Sequence, residues 1–194
     1  MLESLKHIDT DLFLYLNSKH TAFFDVLMFW ISNEFVWIPF YIFLLFLVYK
    51  KYSKQTILVV VLVAALITLS DQLSVHLFKN VFFRYRPCHN LNIQSIVHLV
   101  NNHCGGQYGF ISSHAANTFA LASYLSIIMK GTYKNFAWLI ILWAAIVSYS
   151  RIYLGVHYPA DVICGAAFGS ILGIFIGKLF FTAQAKFYNN QFTK

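Results

Sequence analysis

Three short polar stretches of this sequence contain most of the residues that could do chemistry. They run from Lys79 to Pro87, from Ile111 to His114 and from Ser150 to Asp161. Together they hold all three arginines of the chain and two of its eight histidines, and each lies beside a long apolar run. Charged groups at the border of a membrane are costly unless they are paired or used. The pattern therefore predicts one anion site at a membrane surface, with phosphate-ester hydrolysis through a histidine as its chemistry.

The basic residues of the first and third stretches are suited to holding a phosphate. Hydrolysis of the ester needs cations for the non-bridging oxygens, a nucleophile for phosphorus and an acid for the leaving oxygen. Lys79, Arg86 and Arg151 can supply the cations, since arginine grips phosphate through two N–H groups and lysine acts as a point charge. Lys79 and Arg86 lie seven positions apart, about two helical turns, so they would face the same side if the helix persists as far as Pro87, which would then end it.

The third stretch supplies a candidate nucleophile. His157 and Asp161 are four positions apart where a helix is predicted to begin, with Pro159 in its first turn. A carboxylate at this spacing accepts a hydrogen bond from one ring nitrogen and leaves the other nitrogen to attack phosphorus.

The second stretch supplies a candidate acid. His114 follows Ser112 and Ser113 at the start of another predicted helix, where backbone N–H groups and serine hydroxyls bind phosphate oxygens. His114 is then placed to protonate the leaving group. No carboxylate cluster suggests a metal, and we expect neither a metal nor another cofactor.

The three stretches resemble the signature of the type-2 phosphatidic acid phosphatase superfamily. The first part of that signature is Lys, six residues and Arg-Pro, as in Lys79 to Pro87. The second is Pro-Ser-Gly-His, present here as Ile111-Ser112-Ser113-His114. The third is Ser-Arg, five residues, His, three residues and Asp, as in Ser150 to Asp161. The resemblance covers residues 56–181, which is most of the chain.

The resemblance implies a role for each matched residue. It implies that His157 is phosphorylated, that Asp161 orients it and that His114 is the acid. It implies that the phosphate is held by Lys79, Arg86, Ser112, Ser113 and Arg151.

Two positions depart from the family pattern. Ile111 replaces a proline and Ser113 replaces a glycine. Ser113 keeps its N–H group, so we expect activity to survive. Arg84 stands outside the pattern and is predicted to contact headgroups or guide the substrate.

The composition predicts an integral membrane protein. The chain has 194 residues, of which 59% are hydrophobic and 11% charged, against about 25% charged in soluble domains. Its net charge of +7 suits contact with anionic headgroups. Nucleic acid is not an expected partner, because the basic residues flank apolar runs and do not cluster on one polar element. We expect one membrane-embedded phosphatase domain over residues 1–194.

The apolar runs predict an all-α, polytopic helix bundle. Five spans are expected, with a sixth left open, and the small residues of the last span should allow close helix packing. Residues 1–32 are ambiguous, and their first half suits a helix lying in the membrane interface. The predicted spans cover residues 35–49, 56–78, 114–129, 136–149 and 159–181.

Lysines predict the orientation of this bundle. In a five-span arrangement, most lysines fall at the face opposite the three polar stretches, and this face is cytoplasmic by the positive-inside rule. The site would then face outward, towards the periplasm if the protein lies in a bacterial inner membrane. The lysines concerned are Lys50, Lys51, Lys54, Lys130, Lys134, Lys178, Lys186 and Lys194.

The loop over residues 84–112 contains two cysteines. On an oxidising face Cys88 and Cys104 are expected to form a disulfide. Two alternatives stay open at this point. With their neighbours His89 and His103 they could supply four zinc ligands, or they could be free thiols.

These observations predict a membrane lipid-phosphate phosphatase that works through a phosphohistidine. By the resemblance, candidate substrates are undecaprenyl diphosphate, phosphatidylglycerophosphate, phosphatidic acid and lipid A phosphate. One alternative is a phosphotransferase that passes the group to an acceptor lipid. Another is a non-catalytic lipid binder or small transporter, which would place polar groups at mid-membrane, whereas this chain gathers them at one face. The expected partners are the lipid phosphate and membrane lipids, and the sequence gives no oligomeric state.

Overall fold

A computed structural model describes residues 2–189 of the chain as a bundle of α-helices. Within these residues the one strand-like pairing is an isolated antiparallel bridge between Tyr85 and Tyr108. The predicted all-α architecture is thus confirmed. The helices are α1 (Leu2–Asn17), α2 (Ala22–Ser32), α3 (Ile38–Tyr52), α4 (Thr56–Leu73), the short α5 (Asn80–Phe82), α6 (Ser113–Ile128), α7 (Phe136–Tyr153) and α8 (Pro159–Asn189).

Three stretches of the described residues are long and apolar enough to cross a membrane. They are Glu34–Phe82, Phe136–Tyr153 and Pro159–Lys186. The first contains both α3 and α4, which separate at Ser53, a residue with a φ of 49°. The apolar helix α6 has 16 residues, or about 24 Å at 1.5 Å per residue. With α3 and α4 taken separately and α6 added, five helices lie at the five predicted spans.

Helix α8 packs closely against α6, as its small residues predict. A Cβ atom on Gly165 would lie only 2.6 Å from the carbonyl oxygen of Ser112, so a larger residue would push the two helices apart. This approach places the N-terminus of α6 beside the first turn of α8. There the backbone N–H of Ser112 donates to the carbonyl oxygen of Asp161 at 3.0 Å.

Helix α1 lies across one end of the bundle. The ring of Phe13 packs edge-on against Tyr158, just before α8, with centroids 5.4 Å apart. The Asn17 amide donates to the carbonyl oxygen of Tyr153, the last residue of α7, at 2.9 Å. Both contacts are with the site end of the spanning helices, so α1 does not run alongside them. This position agrees with the predicted interfacial segment.

The helix does not persist from Lys79 to Pro87, so helical spacing is not what relates Lys79 to Arg86. The chain passes through a π-helical segment, Ser74–Lys79, and the short α5, after which Phe83 takes left-handed backbone angles (φ 48°). Arg86 is extended, with φ −65° and ψ 156°, because a residue before proline avoids the helical region. A turn and a loop, rather than a helix face, therefore bring Arg86 to the site.

Candidate active site

The predicted site residues lie at one end of the bundle, on six separate segments. Lys79 ends the π-helical segment and Arg86 lies in the following loop. The remaining residues are at the N-terminus of α6, the last turn of α7, the turn before α8 and the first turn of α8. In order, these are Ser112, Ser113 and His114, then Arg151, His157 and Asp161.

His157 and Asp161 form the buried centre of this group. The exposed fraction is 1% for His157 and 0% for Asp161, and 3.5 Å separates His157 Nδ1 from Asp161 Oδ2. The same carboxylate oxygen accepts a hydrogen bond from the Tyr158 backbone N–H at 3.0 Å. With Nδ1 facing the carboxylate, the Nε2 atom of His157 is the ring nitrogen turned away from it.

Burial and nearby cations favour the neutral imidazole of His157. Burial lowers the pKa of His157 well below its usual value, and the charges of Arg86, Arg151 and Lys79 lower it further. A neutral imidazole keeps a lone pair for attack, whereas a protonated ring has none. The surroundings of His157 therefore hold it in the nucleophilic form.

Lys79 points at the start of α6. Its ammonium group donates to the Ser113 hydroxyl at 2.7 Å, and that hydroxyl lies 2.6 Å from the hydroxyl of Ser74. Ser113 thus gives the lysine a fixed position, which the glycine of the family pattern could not do through a side chain.

The two other predicted cations have no acidic partner among the described residues. Arg86 is buried and Arg151 is partly buried. Arg86 Nη1 donates to the carbonyl oxygen of Cys104 at 3.4 Å, and Arg151 Nη1 donates to the Ser32 hydroxyl. The Nε groups of both arginines are buried and have no hydrogen-bond partner among the described residues. No ion pair joins Lys79, Arg86 or Arg151 to a carboxylate in the part of the chain that the structure describes. Buried positive charge without a counter-charge is costly, and a bound anion removes that cost.

Ser112, at the start of α6, has a different role from Ser113. The Ser112 hydroxyl accepts from the Ala115 N–H at 3.4 Å and so caps α6. Since the Ser112 N–H already bonds to Asp161, Ser112 chiefly ties α6 to α8. The predicted acid, His114, lies in the first turn of α6.

An apolar cavity begins at His114 and extends between α3, α4, α6 and α7. Its volume is about 400 Å³, and most of its lining is apolar. The polar residues that line it are Ser32, Glu34, His114, Asn117 and Thr118. The apolar residues include Leu44, Leu121, Leu125 and Trp143. The candidate acid therefore stands between a cationic site and an apolar space.

Three residues that the sequence did not assign to the site contribute to it. Arg84 pairs with Asp161 at 2.8 Å and with Asp9 at 2.6 Å, so two carboxylates engage its guanidinium group. Gly109 is buried beside Arg86, Asp161 and His157. No sequence pattern signalled Asp9 or Gly109, because Asp9 is one of three acidic residues of α1 and Gly109 is one of three glycines in the long loop over residues 84–112.

The loop over residues 84–112 is closed by a disulfide between Cys88 and Cys104, whose Cα atoms are 6.0 Å apart. Because the two sulfur atoms are bonded to each other, they are not available as zinc ligands or free thiols. The neighbouring His89 ring lies 3.2 Å from the carbonyl oxygen of Gly105. The bridge holds together the two ends of the loop that carries Arg86 and Gly109.

Comparison with known proteins identifies the family. The family model described as the PAP2 superfamily matches residues 54–186. The chain belongs to the PAP2 superfamily. This family is the one that the three stretches resemble.

Several PAP2 relatives are similar over nearly the whole chain. A lipid A 4'-phosphatase of Bacteroides thetaiotaomicron is 38% identical over 183 residues, covering 93% of this chain and 79% of the relative. A lipid A 4'-phosphatase of Porphyromonas gingivalis is also 38% identical, covering 95% and 78%. The crystal structure of Aquifex aeolicus LpxE superposes with a TM-score of 0.61 at 27% identity, covering 87% of this chain and 94% of that one. This PAP2 protein is an integral membrane phosphatase that acts on lipid phosphates.

Proposed function

We propose that this protein hydrolyses a phosphate ester of lipid A through a phosphohistidine at His157. The observation that carries the proposal is the group of three cations, Lys79, Arg86 and Arg151, that surround a buried histidine without carboxylate partners. The two relatives at 38% identity, both lipid A 4'-phosphatases, support the choice of lipid A among lipid phosphates.

In the first step His157 attacks phosphorus. Asp161 faces Nδ1 and holds the ring so that the Nε2 lone pair forms the N–P bond. The P–O bond to the sugar breaks, and the leaving oxygen takes a proton from His114. Lys79, Arg86 and Arg151 stabilise the charge on the three non-bridging oxygens, where most of it lies in such a transition state.

In the second step a water molecule attacks the phosphohistidine. His114, now neutral, takes a proton from that water, which restores the acid for the next turnover. The N–P bond breaks, its electron pair returns to Nε2 of His157, and phosphate leaves. One water is consumed, and the products are phosphate and the dephosphorylated lipid.

The apolar cavity beside His114 suits a substrate with a lipid part. A cavity of about 400 Å³ lined mostly by apolar side chains accommodates part of an acyl chain while the phosphate reaches the cations. A soluble phosphate ester gains nothing from this space, so we expect it to be hydrolysed with a higher KM.

The site faces the periplasm in a bacterial inner membrane. Lys51 donates to the carbonyl oxygen of Ile128, at the end of α6 opposite His114, and lysines concentrate on the cytoplasmic side. The disulfide lies on the site side, where an oxidising compartment would keep it. Protease cleavage of a C-terminal tag in inverted but not in right-side-out vesicles would test this orientation.

The proposal is tested by phosphate release from lipid A in detergent, with a chelator present. His157→Gln should lose more than about 1,000-fold in kcat, since removing a nucleophile leaves only binding and charge stabilisation. Acid quenching with a ³²P-labelled substrate should trap label on wild type and none on His157→Gln. His7→Gln, an exposed histidine on α1, is the matched control and should behave as wild type.

The proposed acid is tested by changing the leaving group. His114→Gln should lose about 100- to 10,000-fold in kcat with lipid A. With an aryl phosphate, whose leaving group needs no protonation, the loss should be much smaller. Equal losses on both substrates would refute the role of His114, and label transferred to another lipid without release of phosphate would indicate a phosphotransferase.

A further inference from the structure

The carboxylate that orients the candidate nucleophile is part of a three-membered ion chain. Asp161 Oδ1 accepts from Arg84 Nη1 at 2.8 Å, and Arg84 Nη2 donates to Asp9 Oδ2 at 2.6 Å. The side-chain exposure is 11% for Asp9, 25% for Arg84 and 0% for Asp161, so the end of this chain that faces His157 is fully buried. Close and largely desolvated pairs of this kind couple strongly.

Asp9 also fixes the helix on which Asp161 stands. Its second oxygen, Oδ1, accepts from the backbone N–H of Ala160 at 2.8 Å. Ala160 is in the first turn of α8, where backbone N–H groups lack partners inside the helix and a negative charge is favourable. One carboxylate on α1 therefore contacts both the arginine that binds Asp161 and the helix end that carries it.

Asp9 lies on α1, outside the residues 54–186 that match the family model. None of the three polar stretches includes it, and 75 positions separate it from Arg84. It reaches the site because Phe13 and Asn17 hold α1 across the end of the bundle.

The sharing of Arg84 between two carboxylates determines what Asp161 offers to His157. Because one Nη group of Arg84 is bound to Asp9, only the other contacts Asp161, at Oδ1. Asp161 Oδ2 is thereby left to the Tyr158 N–H and the His157 ring. A guanidinium without a second partner tends to grip both oxygens of one carboxylate. That change would compete with His157 for Oδ2.

We propose that Asp9 is a positioning residue of the active site, which acts through Arg84 to keep Asp161 Oδ2 directed at His157. The inference rests on the proposed role of His157 as nucleophile. If Asp9 has this role, α1 contributes a positioning residue to the active site in addition to lying at the membrane surface.

Asp9→Asn removes the negative charge of Asp9 but keeps nearly the same side-chain shape. The amide oxygen can still accept from Ala160, whereas the ion pair with Arg84 is lost. We expect kcat to fall about 10- to 100-fold, as for a small misplacement of reacting groups, with KM changed less than about twofold because the phosphate-binding cations are untouched. Asp11→Asn removes an exposed carboxylate of the same helix and should leave both constants unchanged.

A double-mutant cycle with Arg84→Gln distinguishes positioning from mere packing of α1. If Asp9 acts through Arg84, Asp9→Asn should have little further effect on kcat in the Arg84→Gln background. A packing role would reduce kcat by the same factor in both backgrounds and would overturn the proposal. So would an Asp9→Asn protein with the kcat of wild type.

Asp9→Glu is a second variant, which keeps the proposal testable if Asp9→Asn folds poorly. It keeps the charge, so its kcat should stay above that of Asp9→Asn, and an equally low value in a folded protein would overturn the proposal. His157→Gln is measured beside these variants. Activity in His157→Gln would refute the proposed nucleophile, whereas an inactive His157→Gln with additive effects of Asp9 and Arg84 would refute only the inference about Asp9.

Discussion

Gly109 offers a direct test of how tightly the candidate site is built. A Cβ atom at this position would lie 3.0 Å from Arg86 Cγ, 3.3 Å from Asp161 Oδ2 and 3.5 Å from His157 Nδ1. Gly109→Ala would therefore insert a methyl group between Arg86, a proposed phosphate-binding residue, and the proposed nucleophile His157 with its partner Asp161. The first distance is shorter than most Cβ contacts in real proteins, so a neighbour must move by a few tenths of an ångström.

The structure indicates which neighbours move and how much activity this costs. Asp161 is held by hydrogen bonds from Arg84 and Tyr158, so Arg86 and the loop around Gly109 should give way. Because a displacement of about 1 Å costs on the order of 100-fold in rate, a shift of a few tenths should lower kcat/KM about 10-fold. Inserting a methyl group into a packed region should also destabilise the protein by about 1–3 kcal/mol.

The assay is phosphate release from lipid A, with detergent unfolding as the measure of stability. Gly106→Ala is the matched control in the same loop, because a Cβ there would meet no atom within 4 Å. It should leave rate and stability unchanged. The reasoning is refuted if Gly109→Ala stays within twofold of Gly106→Ala in kcat/KM.

Three further predictions concern the loop, the nucleophile and a cation. Replacing Cys88 and Cys104 together by serine should destabilise the protein by about 3 kcal/mol, as expected for a closed loop of this length. Detergent unfolding with and without reductant measures this loss of stability. Equal unfolding midpoints for the wild type and the double serine variant would contradict the prediction. Because burial and nearby cations lower the pKa of His157, the unfolded chain binds a proton below about pH 6.5 that the folded chain does not. The free energy of unfolding of wild type relative to His157→Gln should therefore fall by about 1.4 kcal/mol per pH unit below pH 6.5. A difference in stability between the two proteins that stays constant from pH 6.5 to 5 would contradict this prediction. Lys79→Gln should lower kcat about 100-fold, as for removal of one charge-stabilising donor, whereas Lys6→Gln, exposed on α1, should not change it.

The sequence was most informative where function is encoded by spacing along the chain. His157 and Asp161 are one helical turn apart, so their approach follows from the local geometry of the segment that enters α8. The spans followed from apolar runs of sufficient length, and the α6–α8 contact followed from glycines in the last run. In each case the physical cause is local, since it depends on residues that are near each other in sequence.

The same local reasoning failed between Lys79 and Arg86. Helical spacing predicted that both residues share one helix face, but Phe83 ends the helix and Arg86 is extended. The preference of a pre-proline residue for extended backbone explains the conformation of Arg86, but the helix has already ended at Phe82. Arg86 nevertheless reaches the site, because the Cys88–Cys104 bridge and the hydrogen bond from the Arg86 N–H to the Gln107 carbonyl oxygen fold the loop back.

The sequence by itself determined the family, the membrane-spanning bundle and the set of histidines and cations to which we assign the proposed chemistry. Only the tertiary structure decided how these residues are supported. Arg84 bonds to residues 75 positions before it and 77 positions after it, and no pattern along the chain marks Asp9 or Gly109 as part of the site. The physical reason is that contacts between distant segments depend on the three-dimensional arrangement of the helices and on the shape of a long loop. The spacing of residues along the sequence can identify the candidate reacting groups. Tertiary packing determines which residues they contact, how deeply they are buried and therefore their charge state.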